Sequence, residues 1–158
     1  MFKLIKKLPV LVHQIVFLAA QILILLVCGV GYSGSLAYIG TTSSVLAVII
    51  CLRWDTEILV NKTQALSKSL LDASITVIFM TAVVLLLNIL VGSPLKQYII
   101  WSAVAVAFHE LFVSFLFVQN KIYVYSFFRT VPALILVLLA LFKVGSEFIW
   151  LTAFLISS

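Results

Sequence analysis

Charge is the scarcest commodity in this chain: 158 residues carry five acidic and ten basic side chains, 9% charged in all. A soluble domain is about one quarter charged, so this one cannot clothe a water-facing surface. Histidine and cysteine are scarce as well, two of each, which leaves no cluster from which a metal site could be built. HELFV (109–113) begins like the zinc-protease pattern, but Val113 stands where the second histidine should be. The six glycines never gather into a phosphate-cradling loop, and no serine sits in a nucleophile elbow. The sequence therefore gives no ground for an enzyme, a cofactor or a metal. Cys28 and Cys51 close successive apolar runs, expected at opposite membrane faces and far beyond the ~7 Å Cα limit of a disulfide. They read as small buried apolar residues.

What is present in quantity is hydrocarbon. The chain is 65% hydrophobic with a mean hydropathy of +1.31. A spanning helix needs roughly 20 apolar residues, and runs such as ILILLV and PALILVLLALF are too long and unbroken for the ~10-residue alternation of a membrane barrel. The expected fold is all-α, a polytopic transmembrane bundle forming a single domain over residues 1–158. Five spans are expected: Leu8 to Val30, Ser35 to Leu52, Ser69 to Val91, Gln97 to Val118 and Phe127 to Phe142. A sixth run from Phe148 reaches Ser158 at about half a span's length. GYSG, GSPLK and KVGSE supply the tight turns. The opening MFKLIKK and its apolar run have no small-residue cleavage site and read as an uncleaved first span. Bulky Val27 before Cys28 argues against lipidation.

The net charge of +5 and pI near 9.4 would suggest nucleic acid in a soluble protein. Here the basic residues fall in loops and set orientation instead. Lys3, Lys6, Lys7, Arg53, Lys62, Lys68, Lys121 and Arg129 lie on one side, Lys96 and Lys143 on the other, so the N-terminus is expected in the cytoplasm. Tyr32, Tyr98, Trp101 and Trp150 sit near the outer interface and Trp54, Tyr123 and Tyr125 near the inner one, as an aromatic belt would.

Residues 103–118, AVAVAFHELFVSFLFV, hold the residues that apolar surroundings make expensive. Counting inward from the span ends, His109 and Glu110 fall at the depth of Gln21 and of Thr41 to Ser44, where the four groups could meet. Glu110 shares a helical stripe with Ala103, Ala107 and Ser114, small residues that admit a neighbouring helix. Two readings stand side by side. The polar groups are interhelical glue, worth about 0.6 kcal/mol per contact, or they line a cavity that binds a polar substrate or couples to a proton or cation. Asp72, one turn into its span, reaches cytoplasmic water, and His13 lies near the start of the first span. The loop RWDTEILVNKTQALSK places Trp54, Ile58, Ala65 and Leu66 on one side, as an interfacial helix does, with Arg53 and Glu57 four apart and able to pair. Asn61-Lys62-Thr63 fits a glycosylation sequon on the side expected to be cytoplasmic, a chance match.

LRWDTEILV (52–60) resembles the L-R-[aromatic]-[acidic]-x-x-[Ile] segment after the second span of the polysaccharide transporter family, flippases for undecaprenyl-pyrophosphate-linked O-antigen and capsule repeat units. FLFVQNKIYVYSFFRTV (115–131) is similar to that family's junction between its fourth and fifth spans. The first-span exit departs from the family pattern, with CGVGYSGS in place of a Gly-Pro-Glu-type turn. The family has about twelve spans in two lobes, and this chain resembles the N-terminal lobe alone. The resemblance implies a bacterial inner-membrane protein that translocates lipid-linked oligosaccharide as a truncated or partner-dependent half, with a second lobe or another copy of itself. It implies contact between Arg53 and a substrate phosphate at the cytoplasmic mouth. In a transport-competent form Arg129 would join Arg53 in attracting the pyrophosphate, and the midplane layer of Gln21, His109 and Glu110 would contact sugar or respond to protons. The alternative is a small non-transporting interaction subunit, or an inactive remnant.

Overall fold

The computed structural model describes residues 8–52, 54, 58, 66–92, 95–119, 121–142 and 152–153. Arg53, the sequon and the greater part of the sixth run lie outside the described residues. Every regular element among the described residues is helical: α1 (Leu8–Cys51), α2 (Leu66–Leu90), α3 (Gln97–Val118) and α4 (Ile122–Leu141). All four are long and apolar enough to cross a membrane. Trp54 and Ile58 are also helical, and Ile58 is buried in the core rather than laid on a surface.

α1 is the departure from expectation. Its 44 residues would extend about 66 Å if straight, twice the thickness of a bilayer's hydrocarbon. The helix is broken at Gly29, whose φ of 83° and ψ of 171° are non-helical and open to glycine but not to a residue with a Cβ. Gln21 and Ile24 before the break line one cavity with Ser33 and Ala37 after it. The second arm therefore turns back along the first. GYSG, expected to be the turn, is itself helical: one glycine in a non-helical conformation reverses the chain, and no loop is needed. The second arm ends at Leu52, with a φ of 46°, a left-handed closure that is uncommon for a side-chain-bearing residue.

α3 matches the expected span residue for residue, whereas α2 starts three residues earlier than expected and α4 five earlier. The stretch IYVYS (122–126), expected as loop, is the first turn and a half of α4, and Tyr125 N–H donates to Lys121 O at 2.8 Å. In an apolar medium the backbone must satisfy itself, so helix continues until polar residues arrive. Gly92, at a φ of 69°, turns the chain after α2, and Asn88 Nδ2 ties that turn by donating to Leu95 O at 3.2 Å.

α1 and α3 each pack against all the other helices, while α2 and α4 stand apart on either side. α3 is the central helix, with most of its length buried. Its small residues explain why: Ser102, Ala103, Ala105 and Ala107 are all buried and let neighbours approach to backbone distance. Large apolar side chains point outward, with Leu26, Val30 and Phe142 at least three-quarters exposed, an exterior suited to lipid rather than water.

Candidate functional site

The central helix carries the two costly residues to opposite kinds of surroundings. His109 is 1% exposed, and its Nε2 donates to the carbonyl oxygen of Phe128 in α4 at 3.2 Å. Glu110, one residue on and about 100° around the helix, is only half-buried. It lines a cavity of about 210 Å³ with Ser44 and Cys51 of the second arm, Val106 of α3 and Arg129 of α4. Ala103, Ala107 and Ser114, the stripe shared with Glu110, are all buried.

Arg129 is held from its own helix. Its Nη1 donates to the hydroxyl of Tyr125 one turn earlier, and its guanidinium lies 5.6 Å from the centroid of that ring. Tyr125 is buried and rests edge-on against Phe117, with ring centroids 5.1 Å apart. The guanidinium is thus braced by a hydroxyl and a π face on a residue that also lines the cavity. A carboxylate and a guanidinium in one mostly apolar cavity keep it near neutral, which lowers the desolvation cost that either charge would bear alone.

The expected meeting of Gln21, Thr41 to Ser44, His109 and Glu110 does not occur as a single layer. Gln21 lines a different and smaller cavity, about 70 Å³, between the two arms of α1 and Leu136. Thr42 donates back to Tyr38 O at 2.8 Å. Ser43, fully buried, donates to Ile99 O at 3.3 Å, near the start of α3. Only Ser44 shares Glu110's cavity. The physical reason is axial displacement: the second arm and α3 run the same way, but the last two turns of the arm lie beside the middle of α3. Depth counted from span ends assumes that the ends are level, and here they are not. Arg53 lies outside the described residues.

Arg129 thus joins Glu110, and His109 turns away from their cavity toward α4. Tyr125 and Pro132 were not singled out from the sequence. Tyr125 was absorbed into the aromatic belt, although an Arg four residues after a Tyr on one helix face signals their contact. Pro132, within α4, was legible as a helix interior proline whose neighbourhood must supply a donor.

The cavity has the chemistry to take a polar or anionic group. A guanidinium offers parallel donors to a phosphate, Ser44 a hydroxyl, and Glu110 an exchangeable proton or a cation ligand. No family model, curated protein or solved structure matches this chain.

Proposed function

We propose that this is a bacterial inner-membrane protein that takes part in moving a lipid-linked oligosaccharide across the bilayer, as one lobe working against a second lobe or another copy of the chain. The observation that carries the proposal is the cavity holding Arg129 and Glu110 within a wall of apolar helices. Charged residues at such depth mark substrate or ion pathways. In this reading the two arms of α1 are separate spans, giving five with α2, α3 and α4, and the run from Phe148 belongs to a sixth. The N-terminus is cytoplasmic by the distribution of Lys and Arg. Arg129 engages the pyrophosphate of the lipid carrier, and Glu110, which lines the same cavity, is its counter-charge. A cavity bounded by one lobe cannot open alternately to two sides, hence the partner.

A second reading, a non-transporting interaction subunit, is favoured by one observation: His109 is used for packing against the Phe128 backbone and not for lining the cavity. Binding separates the two. Purified protein in nanodiscs should bind undecaprenyl pyrophosphate more tightly than undecaprenol, and Arg129→Gln should weaken that binding about tenfold, the loss of one charge-assisted contact. Glu110→Gln should leave it undiminished. Equal affinity for the two lipids, or an Arg129→Gln protein that folds and binds like the parent, would remove the transport reading and leave the interaction subunit.

A further inference from the structure

Proline has no backbone N–H. At position 132, inside α4, it deletes the hydrogen bond that would run to the carbonyl four residues earlier, and that carbonyl belongs to Phe128. Water is not at hand to replace the bond in a helix built for an apolar medium, so a neighbouring group must. The group whose hydrogen bond ends on that oxygen is His109, from the central helix, at 3.2 Å.

We infer that His109 is the substitute donor for Pro132, and that through it the central helix positions Arg129. Phe128 immediately precedes Arg129, so the peptide plane that His109 holds is the one from which the guanidinium is hung. A carbonyl oxygen only accepts, which places a proton on Nε2 of His109. The Phe128 side chain fixes the same point from another direction: its ring meets Phe112 of α3 edge-on, centroids 5.2 Å apart and planes at 82°. Backbone and ring of one residue are therefore both docked on α3, one turn apart. Without a donor from α3, the interrupted turn of α4 would close by shifting its carbonyls, and Arg129 would swing with them. This assignment does not rest on what the cavity binds.

A double-mutant cycle tests it, because Ala at 132 restores the N–H that makes His109 necessary. His109→Leu should lower the unfolding temperature of the detergent-purified protein by about 3 °C, His109→Gln should recover part of that through its amide donor, and Pro132→Ala should abolish most of the His109→Leu effect. The dipeptide Phe-Arg occurs once in the chain, so labelling with carbonyl-13C Phe and 15N Arg isolates the Phe128 carbonyl resonance. That resonance should move in His109→Leu and return in the double variant. Additive losses in the cycle, or a Phe128 resonance unmoved by His109→Leu, would overturn the inference. If His109→Leu alone does not fold, the double variant should, and its failure to do so would overturn the inference equally.

Discussion

Arg129 owes its place to Tyr125 as much as to any opposite charge. A guanidinium in a mostly apolar cavity needs donors satisfied and a polarisable face nearby, and the tyrosine one turn earlier supplies both an acceptor oxygen and a ring. The two contributions separate by substitution. Tyr125→Phe removes the hydroxyl and keeps the cation–π contact and the edge contact with Phe117, at a cost of about 0.5–1.5 kcal/mol. Tyr125→Leu removes the ring as well, a further 1–2 kcal/mol or so. Chemical unfolding of the two variants in mixed micelles measures the difference, and a Tyr125→Leu protein as stable as Tyr125→Phe would show that the ring does nothing for Arg129. At this scale His109 and Glu110 were legible because a carboxylate or imidazole in an apolar run contradicts its surroundings. Tyr125 was not, because a tyrosine near a helix start has a sufficient explanation in the interface. Gln21 was assigned to the wrong partners because depth along a sequence does not reveal how far two helices slide past each other.

A helix that reverses at one residue concentrates its cost there. Gly29 has a φ of 83°, and a Cβ built on it would meet nothing within 4 Å, so Gly29→Ala is opposed by backbone strain alone, about 1–3 kcal/mol. Gly31 and Gly34 are helical, and a Cβ there would also meet nothing within 4 Å. Gly31→Ala and Gly34→Ala should instead stabilise by up to about 1 kcal/mol, since alanine loses less backbone freedom in a helix. Equal effects at all three positions, read from unfolding curves, would refute a break localised at Gly29. The sequence presents three glycines within six residues, and nothing local distinguishes the one that turns: that depends on which register lets Leu36, Ile39 and Ala47 reach the core. The boundaries of α3 were legible because polar residues flank it on both sides. The start of α4 was misplaced because an aromatic, serine-containing stretch is as good a helix in an apolar medium as it is a loop at the interface.

For the molecule as a whole, the break in α1 and the choice of side for each turn are one question. If the two arms are separate spans, the residues just after Gly29 must lie on the same side of the membrane as the α2–α3 turn at Gly92, and Lys68 and Lys121 must lie on the other. That relation holds whichever way the protein faces. The excess of Lys and Arg on one side then predicts the direction: Lys68 and Lys121 are expected in the cytoplasm. The alternative, a single α1 spanning once, would leave some 30 Å of apolar helix outside the hydrocarbon, exposing side chains such as Leu26 and Val30 to water. Single cysteines introduced as Gly31→Cys, Lys68→Cys, Gly92→Cys and Lys121→Cys, with Cys28 and Cys51 changed to Ala, distinguish the two. An impermeant maleimide applied to intact spheroplasts should label positions 31 and 92, and should reach 68 and 121 only after the membrane is permeabilised. Labelling of 31 together with 68 and 121, with 92 apart, would mean that α1 does not return through the membrane. The cavity of Arg129 and Glu110 would then border the end of a single crossing, with no outer half for a substrate to be passed to, and the translocation proposal would fall with the five-span topology.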